Sequence, residues 1–268
     1  MIFALPLYDD NPIRDAPLVT FALIGMCIGA FLWQLSQNEA AVGLQYGMIP
    51  AVLFGYAHLA PGLAVIPPWA TLFTSMFLHG GWAHLGGNVL FLWIFGNNIE
   101  DLLGRARFVL LYLASGVAAA LIQALSAPHS HVPMVGASGA IAGVLGAYLM
   151  TYPRANVHCF VWLVIFFWIV TVPAWILLGL WFGMQLLSGL AASPDSPGVA
   201  FWAHVGGFAT GIILFVVLRP RRVGLLQPQR TPIWARMPPG ALVGRRTFHR
   251  GSVRGAGRHP IRPPGPWG

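Results

Sequence analysis

Apolar residues in this chain come in unbroken blocks of about twenty, not at the three-to-four-residue spacing of a helix with one wet face. Blocks of that length predict helices that cross a bilayer. The first covers residues 17–36. The second, residues 69–103, is too long for one span and breaks at Gly80-Gly81, which predicts a helix starting near Trp82. A third covers residues 108–125, a fourth residues 138–152 with Pro153-Arg154 behind it, and the last residues 200–218. Residues 157–190 again exceed one span and carry Pro173 near their middle. They read as two spans, or as one span preceded by a segment, residues 157–172, that lies in the interface or belongs to a broken helix.

Arginine placement decides between seven spans and six, because basic residues concentrate in cytoplasmic loops. With six, Arg14, Arg105, Arg107, Arg154 and everything after residue 218 share one side, and the opposite loops contain no Lys or Arg. With seven, a segment holding eleven arginines would have to cross. The expectation is therefore an all-α membrane protein, a six-helix bundle over residues 1–218 with both termini cytoplasmic. The first block lacks a basic leader and a small-residue cleavage site, which predicts a retained anchor. The fourth span is short, roughly 22 Å for fifteen helical residues, so its N-terminal end should lie below the outer membrane surface.

Composition agrees. The 268 residues are 57% hydrophobic and only 8% charged, against about 25% charged in an ordinary soluble domain. This excludes a soluble globular protein, and so much apolar surface excludes disorder over most of the length. The net charge of +8 is local. Residues 219–268 hold nine Pro, eight Gly, eleven Arg and no acid, the composition of a disordered cytoplasmic tail. Such a tail can fix topology or contact anionic lipid headgroups; nucleic acid is not the expected partner. Cys27 and Cys159 suggest no disulfide framework. Glu100 and Asp101, near Arg105, Arg107 and Arg154, suggest a cytoplasmic ion-pair cluster.

Candidate chemistry falls at the outer ends of spans two, four and six, which all run inward. Span two opens with His84 and Asn88, four apart and on one helix face. Span four opens with Ser138 in Gly136-Ala137-Ser138-Gly139, and span six carries His204 just inside its start. A serine hydroxyl is a weak nucleophile that needs an adjacent base, and a histidine inside a span is a functional candidate. Gly139 and Gly143 on span four, and Gly207 and Gly211 on span six, follow the four-residue spacing that lets helices touch. The Ser138 amide, His84 and Asn88 are donors for an oxyanion. Read singly, Ser138, His204 and Asn88 could each be interhelical hydrogen bonds; their shared depth and side favour a site. A metal site is not expected, since no His-Glu-x-x-His is present. Asp195, in the outer loop before span six, is the one acid nearby in sequence.

The ordered run from His79 through Gly80-Gly81-Trp82-Ala83-His84-Leu85-Gly86-Gly87-Asn88, then Gly136-Ala137-Ser138-Gly139, then Ala203-His204-Val205-Gly206-Gly207 and Gly211, resembles the rhomboid intramembrane serine proteases over about residues 1–218. The resemblance implies a Ser138–His204 dyad, an oxyanion hole of His84, Asn88 and the Ser138 amide, and supporting places for His79 and Gly136. It also implies an acyl-enzyme route without cofactor and, as substrates, single-span membrane proteins cut near the outer face. The outer loop at residues 191–199 would cap the site. The Trp-Arg pair often found in the family's first outer loop is missing, since residues 38–69 contain no Arg. The expected location is a bacterial plasma membrane, with the site facing the extracytoplasmic side. The competing class is a non-catalytic rhomboid-like protein that binds membrane clients.

Overall fold

Each predicted block folds as a helix, and one stretch that looked merely apolar folds as something else. The computed structural model describes residues 2–163, 165–192 and 198–227. In chain order the elements are β1 (Ile2–Asp9), α1 (Leu18–Leu35), the short helices α2 (Glu39–Tyr46), α3 (Pro50–Leu53) and α4 (Thr71–Thr74), then α5 (Trp82–Phe91), α6 (Asn97–Leu103), α7 (Arg105–Ser126) and α8 (Ser138–Thr151). Strands β2 (Asn156–Leu163) and β3 (Phe166–Pro173) follow, then α9 (Ala174–Ala191) and α10 (Phe201–Leu218). By length and composition α1, α7, α9 and α10 can each cross a membrane, and α8 is a shorter apolar helix. Helices α5 and α6 are joined by a π-helical stretch, Leu92–Gly96.

The fold is mostly helical, not all-α. Residues 156–173 form an antiparallel hairpin, and β1 adds to it to make a three-stranded sheet in the order β1-β2-β3. Valine, isoleucine, threonine and aromatic side chains crowd this stretch and fit a pleated surface better than a helix turn. The strands meet across an apolar connection without Gly, Pro, Asn or Asp, so the usual turn signal is missing. The described residues of 157–172 thus form strands and not a broken helix or a second helical span.

Helix α8 lies at the centre. Every residue from Gly139 to Tyr148 is buried, the mark of a helix packed on all sides. Against α10 the packing is backbone on backbone. A Cβ on Gly207 would lie 2.0 Å from the Gly139 carbonyl oxygen, and one on Gly211 would lie 1.9 Å from that of Gly143. On the α7 side, a Cβ on Gly143 would strike the Ser115 side chain at 2.3 Å, and one on Gly139 would meet Ala119 at 2.6 Å.

Two polar devices tie the ends. Among the described residues Glu100 does not enter an ion-pair cluster; its buried carboxylate takes the α1 N-terminus, accepting from the Val19 and Thr20 amides at 2.9 and 2.8 Å and the Thr20 hydroxyl at 2.8 Å. A carboxylate there satisfies free amides and suits the helix dipole. Asp101 likewise accepts from the Arg14 and Asp15 amides. Asp9, at the end of β1, accepts from Tyr148 Oη of α8 and from Asn98 Nδ2 of α6. Burial pushes the Asp9 carboxyl up to about 6, against these hydrogen bonds, which favour its charge. Cys27 and Cys159 are both free and buried. Residues 219–227, assigned to the tail by composition, return to α8, where the Leu226 and Gln227 amides donate to the Met150 and Thr151 carbonyls. The rest of the tail, residues 228–268, lies outside the described residues.

Gly211→Ala is expected to lower stability by about 1–3 kcal/mol through overpacking, whereas Gly86→Ala, with open space around it, should not destabilise. Thermal melting in detergent compares the two. Because Asp9 holds its proton to about pH 6 when folded and has an ordinary value of 3.8, the folded state binds more protons across that interval. Its contribution therefore stabilises the fold as pH falls from about 6 to about 4 and is absent above about 7. Asp9→Asn should flatten that part of the melting-temperature profile.

Candidate active site

Ser138 is the first residue of α8, and its place is prepared by the glycine two before it. Gly136 has φ +127°, a backbone region L side chains rarely adopt, and a Cβ there would lie 2.7 Å from the His84 ring. Its amide donates to the Ser75 carbonyl at 2.8 Å. Strain and space both demand glycine here.

His204, the fourth residue of α10, is 9% exposed. The glycine contacts between α8 and α10 bring it against Ser138, with His204 Nε2 2.8 Å from Ser138 Oγ. A serine hydroxyl and an imidazole at that distance can pass a proton between them. The other ring nitrogen, Nδ1, is 2.8 Å from Gln185 Oε1 of α9. Trp181, one turn earlier on α9, lies 5.6 Å from the imidazole, centroid to centroid.

His84 Nδ1 accepts from the Gly80 amide at 3.3 Å. That assigns the ring proton to Nε2, the edge turned toward Gly136 and Ser138. Asn88, one turn further along α5, is buried, and its Nδ2 has no partner. An unpaired buried donor is costly, and this one borders a cavity of about 630 Å³ that Ser138, His84 and His204 also line. Two donors thus face the space beside the serine, where negative charge on a reacting oxygen could be held.

His79 is fully buried behind His84, with ring centroids 5.2 Å apart. Its backbone is clasped by Gln34 of α1, whose side chain accepts from the His79 amide at 2.9 Å and donates to its carbonyl at 3.2 Å. Its ring Nδ1 reaches the Phe77 carbonyl at 3.2 Å. His129 packs on Tyr56. Among the described residues no group of three His, Cys, Asp or Glu could hold a metal ion. Asp195 and most of the capping loop, residues 193–197, lie outside the described residues.

Three glutamines escaped the sequence reading. Gln34 frames His79, Gln123 of α7 accepts from the Ala203 amide at 3.1 Å near the start of α10, and Gln185 reaches His204. Each sits in a long apolar helix, and a lone carboxamide in such a helix is itself a signal, because it seeks a partner on a neighbouring helix.

Comparison with known proteins finds relatives of this chain. The model of the Rhomboid domain matches residues 67–221. Rhomboid protease GluP of Bacillus subtilis is 44% identical over 81 residues, 30% of this chain and 15% of GluP. Putative rhomboid protease YdcA of the same organism is 35% identical over 138 residues, 51% of this chain and 63% of YdcA. RHOMBOID-like protein 6, mitochondrial, of Arabidopsis thaliana is 34% identical over 236 residues, 85% of this chain and 66% of that protein. The chain therefore spans less than two thirds of each of these three.

Burial, and then the neighbouring His84, lower the His79 imidazole to about 4 from its ordinary 6.5. The folded state binds fewer protons than the unfolded one between those values. Stability from this group is complete above pH 6.5 and is lost as pH falls toward 4. The His79→Gln protein should thus lose less melting temperature than the native chain between pH 7.5 and pH 5.

Proposed function

The chain belongs to the rhomboid family and is an integral multi-pass membrane protein, and from that premise we propose that it is an intramembrane serine endopeptidase. The observation that carries the reading is the 2.8 Å contact between Ser138 Oγ and His204 Nε2 beside the unpaired Asn88 donor. The protease names of GluP and YdcA support it.

In this mechanism His204 Nε2 takes the Ser138 proton as Oγ attacks the scissile carbonyl carbon. The carbonyl oxygen becomes an oxyanion, held by His84 Nε2–H, Asn88 Nδ2–H and the Ser138 amide at the N-terminus of α8. Collapse breaks the C–N bond, and the His204 proton leaves with the amine. Water then attacks the acyl-enzyme, with His204 accepting its proton and returning one to Ser138. No cofactor enters these steps.

The substrate class is membrane proteins, cut within or next to a single transmembrane segment. A peptide bond inside a stable helix has its carbonyl hydrogen-bonded, so the segment must unwind before Ser138 can attack. Six spans, formed by α1, the α5–α6 helix, α7, α8, α9 and α10, place Arg14, Arg105, Arg107, Arg154 and the tail together in the cytoplasm. They put Ser138 near the extracytoplasmic side, in a bacterial plasma membrane. The arginine tail holds the topology and meets anionic headgroups on that inner face.

Reconstituted with a fluorescent single-span substrate, the native chain should cleave it. Ser138→Ala and His204→Ala should reduce cleavage to background, and a chelator should leave it unchanged. Asn88→Ala should lower kcat by about 10²–10³-fold, the usual loss for one oxyanion donor. Cleavage that survives Ser138→Ala overturns the reading.

A further inference from the structure

We propose that Gln185 is a positioning residue for this dyad, holding His204 in the tautomer that can accept a proton from Ser138; the inference rests on the protease reading above. A neutral imidazole carries one N–H and one lone pair. For Nε2 to take the Ser138 proton, its lone pair must face Oγ and the ring hydrogen must sit on Nδ1. His204 is 9% exposed, so an Nδ1–H there needs a protein acceptor. Gln185 Oε1, at 2.8 Å, is that acceptor.

Without it the competing tautomer becomes available, with Nε2–H donating to Ser138 Oγ, and a ring in that state cannot act as base. The same carbonyl dipole also stabilises the imidazolium formed once the serine proton has moved. Soluble serine hydrolases assign this duty to a carboxylate. No acid occurs in this sequence between Asp101 and Asp195, and a lone carboxylate on an apolar span would be an expensive buried charge. A carboxamide supplies the acceptor without the charge.

The placement of Gln185 is built, not incidental. Its side chain is 7% exposed, and it lies midway in a row of α9 residues spaced four apart that face the start of α10. Trp181 lies beside the imidazole. Gly189 admits Phe201 and Trp202 so closely that a Cβ there would sit 3.3–3.4 Å from them. Contacts on both sides thus set where the carboxamide between them can reach.

The test uses the full chain reconstituted with the single-span substrate. Gln185→Met keeps length and removes the acceptor; Gln185→Glu keeps an acceptor in either protonation state. The methionine variant should lose about 10–100-fold in kcat, the scale seen when a partner that orients a metal-bound histidine is removed, with KM within about twofold. The glutamate variant should retain most of the native rate. Nitrogen-15 imidazole spectra, with the His204 signal identified by its loss in His204→Asn, should show Nδ1–H in the native chain and in Gln185→Glu. Nε2–H, or a mixture, is expected in Gln185→Met.

A native rate in Gln185→Met, or an unchanged tautomer there, overturns the inference even where Ser138→Ala abolishes cleavage. So does a loss that comes with a lower melting temperature and an unchanged tautomer, since Gln185 would then only fasten α9 to α10. A native chain that does not cut the substrate counts against the protease reading, while the spectra still decide the role of Gln185.

Discussion

The direct contact of the α8 and α10 backbones is the constraint from which the site follows. Lipid offers helices no hydrophobic reason to associate, so close approach, dispersion and weak Cα–H···O contacts must hold them. Glycine at 139, 143, 207 and 211 removes the side chains that would keep the axes apart. With the axes this near, a residue at the start of α8 and one in the first turn of α10 have a single relation to each other. Ser138 and His204 occupy those two places. Neither side chain needs to be long or strained to reach the other.

Much of this was legible because the decisive features are local breaks in an apolar text. Gly80-Gly81 marked the start of α5 at Trp82, and the fourth apolar block was read from Ser138, each at the residue where the helix begins. The sheet was not legible. Residues 157–172 are as apolar as a span, and their strand character lies in branched and aromatic side chains, not in alternation, since β3 is exposed along most of its length. The partner of β2 is β1, more than 140 residues away, and no local pattern announces such a pairing. Glu100 was misassigned for a related reason: its nearest positive charges in sequence are arginines, but its nearest donors in space are the amides of α1. Gln185 went unnoticed because a neutral polar residue scarcely disturbs an apolar run.

Among the described residues no acid, lysine or arginine lines the cavity beside Ser138; the polar groups gathered there are two imidazoles at His84 and His204 and two carboxamides at Asn88 and Gln185. In a low-dielectric setting, neutral donors and acceptors can be desolvated at a fraction of the cost of ions. Their dipoles act more strongly there than in water. In the proposed mechanism formal charge is needed only while an oxyanion and an imidazolium exist together, when the two charges are close and opposite. The tautomers are set by backbone and amide partners, the Gly80 N–H for His84 and the Gln185 carbonyl for His204. An arrangement of this kind needs no carboxylate inside the membrane.

Strand β3 passes directly into α9, and the start of α9 is fastened to the segment that follows α8 by two backbone hydrogen bonds, Ala174 N–H to the Ala155 carbonyl and Trp175 N–H to the Pro153 carbonyl. Helices α8 and α9 therefore form the legs of a pair of callipers whose pivot is this junction. Ser138 is at one tip and Gln185 stands about 16 Å along the other leg, with the imidazole of His204 gripped between them. Over that length, one degree of opening at the pivot moves the jaws apart by about 0.3 Å, roughly a tenth of either hydrogen-bond length. The sheet that leads into this pivot lies at the far end of α8 from Ser138.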